Sequence, residues 1–245
     1  MSLYVTLAFA EMQVWQRHMQ QAPGRWSRLS KGMQNRVNSL IPEKVHAAVT
    51  VAIRQMVRGV LFGAAQLTRP ATPVLNLEYT EEKVRRRINL YRRMAAVEGG
   101  VTGAGGFLAG LADFPLLLGI KLKMLFDIAA LYGFDAGDYR ERVYLLHVFE
   151  LSFSSDAHRR AVYQKMEQWP QVAAAMPAQV EAFDWRSFQQ EYRDYIDLAK
   201  IAQLLPVIGA PVGLVVNHRL LKRLGHNAMQ AYRLRLWQQL QSPGE

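Results

Sequence analysis

The sequence contains no cysteine, which excludes disulfide bonds, thiolate catalysis and cysteine-ligated metal, and which fits a reducing compartment. It has no convincing run of alternating apolar and polar residues, so no β-strand is predicted. It also has no ordinary transmembrane helix, because Asp113 and Pro115 interrupt one apolar stretch and Pro206 and Pro211 interrupt another. The N-terminus has no basic region ahead of its apolar residues, and we interpret it as a helix rather than a signal peptide.

Apolar residues instead recur at helical spacing along almost the whole chain, which predicts an all-α protein of about ten helices. The stripe of Trp185, Phe188 and Tyr192 is typical of a core-facing helix, with Asp184 placed as its N-cap. Proline- and glycine-containing segments separate the first helices from the rest. We therefore predict an N-terminal helical segment at residues 1–75 and a main helical domain at residues 76–245.

Residues 98–121 read EGGVTGAGGFLAGLADFPLLLGIK and are rich in glycine. A phosphate-binding loop would end in Gly-Lys-Ser/Thr, and a dinucleotide fingerprint would need a glycine where Leu108 stands. We therefore expect no nucleotide and no other cofactor. Small residues at spacings of three and four favour the close approach of a second helix. The apolar stretch that contains Gly209 and Gly213 is the expected partner, which predicts two glycine-rich helices packed at the centre of the fold.

Three polar residues interrupt these apolar stretches. Glu98 and Asp113 are candidates for a buried catalytic carboxylate with a raised pKa. Asp113 is alternatively an N-cap, with Pro115 in the first turn of the next helix. Glu98 is placed where a helix would end at Gly99. Asn217 interrupts an apolar helix face, and a buried amide there needs polar partners, which predicts either a structural network or a catalytic one.

The segments VEGGVTGAGGFLAGLADFPLLLGIKLKMLFDIAALYGFD and LLPVIGAPVGLVVNHRLLKRLGHNAMQAYRLR together resemble the bacterial EcsC family, over about residues 78–237. That family takes its name from a protein encoded beside the ATPase and membrane subunits of an ABC exporter. The resemblance brings no catalytic set and does not extend to the first 75 residues. By motif match it points to polar positions at Glu98, Thr102, Asp113, Lys121, Asn217 and Arg219.

Basic residues are in excess, with 30 Lys and Arg against 20 Asp and Glu, and a formal charge of +10. Such an excess favours an anionic partner, either nucleic acid or an acidic membrane surface. A basic amphipathic helix with a terminal tryptophan fits a membrane interface, although a solvated helix face is the simpler alternative. The predicted surface-binding residues are Lys83, Arg85, Arg86, Arg87, Arg92, Arg93, Lys222, Arg223, Arg233, Arg235 and Trp237.

Metal and hydrolase motifs have little support in the sequence. Among the histidines only His147, with Glu150, has a helical i, i+3 carboxylate spacing, whereas a di-iron bundle needs two such pairs and further glutamates. We therefore predict no metal. The segment SSDAH, residues 154–158, predicts a helix cap with Ser154 or Ser155, because no nucleophile elbow accompanies it.

These observations predict a cytoplasmic, peripheral, non-catalytic protein at the inner face of the membrane. Its expected partners are an anionic membrane surface or a membrane protein complex, with a lipid-like molecule as ligand. The alternative is a hydrolase that acts on a lipid or a peptide and uses Glu98 or Asp113 as acid or base. A weaker alternative is nucleic-acid binding through the basic helices, for which no known recognition signature is present.

Overall fold

The computed structural model describes residues 2–21, 43–62, 70–103, 114–195 and 210–241, and these are almost entirely helical. No β-strand occurs in these ranges, which confirms the predicted all-α class. A short 3₁₀ helix spans Val180–Ala182. The α-helices in chain order are α1 (Leu3–Gln20), α2 (Glu43–Phe62), α3 (Leu77–Gly103), α4 (Phe114–Leu131), α5 (Tyr139–Phe153), α6 (Asp156–Glu167), α7 (Trp169–Ala174), α8 (Trp185–Tyr195) and α9 (Ala210–Gln241).

Local sequence signals explain several helix ends. Gly133 follows α4 with φ of +83°, a conformation that glycine adopts without steric penalty. The amides of Gly133 and Phe134 donate to the carbonyls of Ala130 and Ala129, at 3.2 and 3.0 Å, which is the Schellman pattern. Asp184 caps α8 as predicted, since its carboxylate accepts from the amide and hydroxyl of Ser187 at 3.1 and 2.7 Å.

The glycine-rich stretch differs from expectation at one point. α3 continues through Gly99 as far as Gly103, so the helix does not end at Gly99. Glu98 consequently lies in a helix interior, where the objection to a negative charge at a helix C-terminus does not apply. α4 begins at Phe114 and places Pro115 in its first turn, as predicted. Residues 104–113, including Asp113, lie outside the described ranges.

α3 and α9 run antiparallel and pack against each other more extensively than any other described pair of helices. Gly225 of α9 lies against Ile88 of α3, and a Cβ atom at Gly225 would come within 2.8 Å of the Ile88 side chain. The pairing joins the helices that carry the ends of the two glycine-rich stretches. The side chains of 96–103 and 211–217 are not described, so the predicted contact between the stretches themselves stays a prediction.

The buried face of α3 repeats with alternating spacings of four and three, as in a coiled-coil seam. Its members are Leu77, Glu81, Val84, Ile88, Tyr91 and Ala95. α4 and α5 are buried on almost all sides and form the centre of the molecule. α1 contributes Met12 and Trp15 to the same core. The predicted division at residue 75 stays a prediction.

Candidate functional site

A buried ion pair lies where α1, α3, α4 and α9 meet. Arg233 donates from Nε and Nη2 to the two carboxylate oxygens of Glu81, at 2.7 and 2.6 Å. The two side chains are 2% and 0% exposed. This two-point geometry is the strong form of an arginine–carboxylate contact. The heptad spacing of α3 directs Glu81 inward, between Leu77 and Val84, and α9 supplies the matching cation.

Further hydrogen bonds complete the pair. Tyr4 and Tyr132 donate to Glu81 at 2.5 and 3.1 Å, and Arg85 donates at 3.3 Å. Burial alone would raise the pKa of Glu81, but the hydrogen bonds and positive charge of Arg233 lower it below its ordinary value. Glu81 is therefore an acceptor that is ionised at neutral pH and that ties four helices together. The sequence analysis missed it, although its place among apolar heptad positions was a usable signal.

An open cleft of about 640 Å³ lies beside this ion pair. Only one nitrogen of Arg233, Nη1, contacts the cleft-lining Glu11, at 2.8 Å, and the Glu11 side chain is 65% exposed. Arg233 is therefore held in place at the cleft by its ion pair with Glu81, whereas the Glu11 side chain is exposed to solvent. It is lined from α1 by Glu11, Val14, Trp15 and His18, from α3 by Arg85, and from α9 by His226, Met229, Gln230 and Arg233.

The outward side of α3 carries a second arrangement of charge. Residues 79, 83, 86, 90 and 93 recur at spacings of four and three on the side opposite the buried seam. Arg86 and Arg93 are exposed, and Leu90 and Met94 beside them are each 46% exposed. Arg86 pairs with Glu82 at 2.5 Å, an exposed contact that contributes little to stability.

α9 extends this basic surface. Its 32 residues include no Asp or Glu. Arg219, Lys222 and Arg223 are exposed near the end of α9 that faces Arg92 of α3, where Arg92 contacts His218. We call Arg86, Arg93, Arg219, Lys222 and Arg223, with Leu90 and Met94, the α3/α9 basic face. Within the described ranges, Arg93, Arg219 and Lys222 form no salt bridge.

Three residues predicted to bind an anionic surface lie elsewhere. The prediction is wrong for Arg233, which is buried by its ion pair with Glu81. Arg235 pairs with Glu141 at 3.1 Å and stacks over the rings of Phe134 and Tyr144 at 4.6 and 4.7 Å. Trp237 packs on Phe9 at a ring distance of 4.6 Å and does not project into solvent. Arg233 is buried, and Arg235 and Trp237 are partly buried, because α9 is covered on most sides in its second half.

The other predicted surface cations have mixed exposure. Arg85 is about half exposed, and its Nη2 donates to Tyr4 at 2.7 Å. Lys83 lies 4.2 Å from the ring centre of Tyr79. Arg87 approaches the buried Asp127 at 3.5 Å, and Arg92 donates to Asn89 at 2.9 Å. These cations flank the basic face but have partners that fix their position.

The predicted polar core is only partly described. Lys121 is fully buried, and its ammonium donates to the carbonyl of Leu117 at 3.2 Å. Arg219 is exposed and is therefore part of the surface. Glu98, Thr102 and Asn217 lie on helical backbone, but their side chains are outside the described part, as is the whole of Asp113. Catalysis by Glu98 or Asp113 stays a prediction.

The remaining buried polar contacts join helices. His147 and Glu150 form a buried contact of 2.8 Å, enclosed by Trp169 and Phe188. A buried amide does interrupt α9, but the described one is Asn227, which accepts from Trp15 at 3.1 Å and donates to Ser152 at 3.0 Å. No cluster of three His, Asp or Glu side chains suited to a metal occurs among the described residues.

The segment SSDAH contains the start of α6 at Asp156, and the N-cap position falls on one of the two predicted serines. Ser155 is the N-cap residue of α6, and its hydroxyl contacts Nδ1 of His158 at 2.9 Å without bonding a helix amide. Ser154 closes the preceding helix, since its hydroxyl donates to the carbonyl of Glu150 at 2.7 Å. These serines therefore shape the α5–α6 junction.

Comparison with known proteins identifies relatives. The model of the EcsC protein family matches residues 7–237, which extends the resemblance to the N-terminal helices that the sequence analysis had left outside it. Protein EcsC of Bacillus subtilis is 42% identical over 231 residues, 94% of this chain and 95% of that protein. The uncharacterized protein YdbA of the same organism is 31% identical over 141 residues, which cover 58% of this chain and 52% of YdbA. No solved structure matches the chain.

Proposed function

This chain belongs to the EcsC protein family, and we propose that it is a peripheral protein that binds the anionic surface of a membrane without catalysing a reaction. The observation that supports this proposal is the α3/α9 basic face. It presents cations from two adjacent helices together with exposed aliphatic side chains. Among the described residues, no helix combines the length and apolar character that crossing a bilayer requires.

Charge is the first contribution to such binding. Each lysine or arginine near an anionic leaflet contributes about 1 kcal/mol, provided that no neighbouring carboxylate neutralises it. Arg93, Arg219 and Lys222 meet that condition among the residues with described side chains. α9 supplies its cations with no acidic residue of its own. The face therefore has an uncompensated positive field, which favours an anionic bilayer over a neutral one.

Apolar contact is the second contribution. Leu90 and Met94 lie on the outward side of α3 between the arginines, each 46% exposed. An aliphatic side chain that enters the boundary between headgroups and acyl chains loses contact with water, while arginines at its sides remain with the phosphates. This combination favours a bilayer over nucleic acid, which offers phosphates but no apolar layer at that depth. The absence of cysteine fits the cytoplasmic face.

Vesicle flotation tests the proposal. We expect wild-type protein to float with vesicles that contain phosphatidylglycerol and to remain unbound with neutral phosphatidylcholine, more so at low salt. A variant with Arg86→Gln, Arg93→Gln, Arg219→Gln and Lys222→Gln should lose at least about tenfold in partition coefficient, given about 1 kcal/mol for each cation.

The matched control removes the same charge from other helices. Arg54, Arg58, Arg160 and Arg186 are exposed on α2, α6 and α8, and their replacement by glutamine should leave flotation nearly unchanged. Equal losses of flotation in both variants would show that binding depends on the net charge of the protein and not on the α3/α9 basic face. Absence of flotation in every lipid mixture would exclude the proposal. A mobility shift with duplex DNA that the same four substitutions abolish would favour the nucleic-acid alternative.

The hydrolase alternative has its own test. If Glu98 acts as acid or base, Glu98→Gln should preserve the folded state, seen by circular dichroism, and abolish a cellular phenotype of the gene. Unfolding, or behaviour like the wild type, would remove support for catalysis by this residue. Flotation should be unaffected in either case.

A further inference from the structure

The cleft between α1, α3 and α9 lies outside the α3/α9 basic face and contains donors that the ion pair does not use. Arg233 commits Nε and Nη2 to Glu81, and Nη1 is shared among Glu11 at 2.8 Å, the Ala8 carbonyl at 3.2 Å and Gln230 at 3.3 Å. A guanidinium Nη group has two hydrogens, so three acceptors compete for it. The strongest competitor, Glu11, is largely solvent-exposed and able to leave.

Arg85 provides further donors to the cleft from α3. Its Nη2 is engaged by Tyr4 and Glu81 at 2.7 and 3.3 Å. No other nitrogen of Arg85 has an acceptor among the described residues, and an arginine has five N–H donors in a planar fork. The side chain is 49% exposed. Arg85 can therefore bind an additional anion without breaking its existing contacts.

His226 lines the same cleft from α9. Partial desolvation and the charges of Arg233 and Lys222 lower the pKa of its imidazole, and Glu11 opposes them. Val14 and Met229 add an apolar part to the lining, and Val14 is 58% exposed. The cleft therefore combines a cationic end with an aliphatic wall.

We propose that this cleft binds a tetrahedral phosphate group of the monoester class, with Arg85 and His226 as direct donors and Arg233 Nη1 released from Glu11 to serve as a third. Three nitrogen-bearing side chains that line one cleft suit a phosphate better than a carboxylate, because a phosphate monoester presents three terminal oxygens. The phosphate comes either from a lipid headgroup or from a soluble metabolite. Only the lipid source rests on the membrane binding proposed above.

Calorimetric titration without membranes tests the site itself. Wild-type protein titrated with glycerol 3-phosphate should release or absorb measurable heat with saturation. Arg85→Gln should weaken binding about tenfold through loss of charge-assisted hydrogen bonds. Arg160→Gln is the control, because Arg160 is exposed on α6 and does not line the cleft; it should bind like the wild type.

The Glu11→Gln variant distinguishes two roles for Glu11, because the two roles predict different changes in phosphate affinity. If Glu11 is only a surface partner of Arg233, its replacement leaves phosphate binding unchanged or weaker. If Glu11 competes with the ligand, its replacement should tighten binding several-fold, because the Glu11 carboxylate no longer occupies Nη1 of Arg233. No binding by the wild type, or a Glu11→Gln variant that binds no tighter, would overturn the proposal.

Proton linkage gives a second readout. Inorganic sulfate is the suitable probe, because it stays a dianion across the range in which histidine titrates. A dianion in the cleft should raise the pKa of His226, so binding should take up a proton and be tighter near about pH 6 than near about pH 8. The charged or titratable groups facing His226 are Arg233 and Lys222 on its own helix, Glu11 and His18 on α1, and Arg85 on α3. His226→Gln should flatten this dependence, and an unchanged dependence would contradict the role of His226.

Vesicles distinguish the source of the phosphate. Phosphatidic acid has a monoester headgroup and phosphatidylglycerol a diester, and the two are compared at equal surface charge. A lipid source predicts stronger flotation with phosphatidic acid, lost in Arg85→Gln while binding to phosphatidylglycerol persists. Equal flotation together with calorimetric binding assigns the site to a soluble phosphate. Failure of all flotation with calorimetric binding intact would contradict the membrane proposal but not this one.

Discussion

The inward and outward cations of α3 and α9 differ in what surrounds them. Arg233, on the inward side, has a side chain that is 2% exposed and binds a fully buried carboxylate at two points. Arg93 and Lys222, on the outward side, are exposed and have no described salt bridge. The same two helices thus use cations in two ways. The inward ones hold the fold together, and the outward ones remain available to an external anion.

A second contrast separates two buried carboxylates that pair with α9. Glu81 accepts five described hydrogen bonds, and its pKa is lowered. Glu141 accepts one from Tyr232 at 2.7 Å and one from Arg235 at 3.1 Å, and burial raises its pKa despite the charge of Arg235. Burial penalises both carboxylates, and the number and geometry of the donors decide the direction.

The largest expected effect comes from removing the inward cation. Arg233→Ala leaves Glu81 buried and unpaired, which should lower the free energy of unfolding by about 3–5 kcal/mol in urea denaturation. Arg93→Ala, the outward control, should change it by less than about 0.5 kcal/mol. Similar midpoints for the two variants would contradict the division between inward and outward cations.

The close approach of α3 and α9 predicts the next effect. Gly225→Ala places a methyl group within 2.8–2.9 Å of three atoms of Ile88, so stability should fall by about 1–3 kcal/mol despite the better helix propensity of alanine. In an Ile88→Ala background those atoms are absent, and the same change should become neutral or stabilising. Additive effects in the double-mutant cycle would show that the two residues do not touch.

The two carboxylates should also separate in their pH dependence. Because the folded-state pKa of Glu81 is lowered, its stabilisation is complete above the unfolded-state pKa and is lost as the pH falls through the folded-state pKa. Glu81→Gln should therefore lower the free energy of unfolding at neutral pH. It should also make the fall of this free energy at acid pH shallower, by on the order of 1 kcal/mol. The measurement is unfolding free energy at a series of pH values.

Glu141 has the opposite sign. A raised folded-state pKa gives a contribution that is present below the unfolded-state pKa and is lost as the pH rises through the folded-state value. Glu141→Gln should thus make the acid-side decline steeper than in the wild type, because the variant lacks a carboxyl whose protonation favours the folded state. A shallower decline in this variant, with none in Glu81→Gln, would reverse the assignment of the two carboxylates.

The smallest effect is expected from the apolar part of the basic face. Leu90→Ser should leave stability within about 0.5 kcal/mol, because the side chain is already 46% exposed, and should weaken vesicle binding about threefold to tenfold. Leu240 is 61% exposed on the other end of α9, and Leu240→Ser serves as the control. Equal weakening by both would show that binding does not depend on where the apolar residue lies.

The sequence predicts features set by local chemistry. Helical periodicity predicts the all-α class, Asp184 predicts the start of α8, and the position of Pro115 predicts the start of α4. α3 does not end at Gly99, because glycine lowers helix propensity by only about 1 kcal/mol and does not by itself end a helix.

The site is less predictable because it depends on which helices meet. Glu81 was identifiable as a charge among apolar heptad positions, but its partner Arg233 lies 152 residues away. Arg233 was placed on a basic surface because linear charge clustering does not reveal which side of a long helix is buried. Glu11 and His226 have no motif at all, and only the crossing of α1 and α9 brings them to one cleft.

The central claim is that the α3/α9 basic face contacts the membrane. Hydrogen–deuterium exchange with and without phosphatidylglycerol vesicles tests it most directly, because it reports the location of contact as well as its existence. We expect slower exchange in peptides that contain residues 86–94 and 218–223, and no change in residues 139–153 of α5. Protection that is confined to other helices would contradict this claim. So would an absence of protection at lipid concentrations that give full flotation.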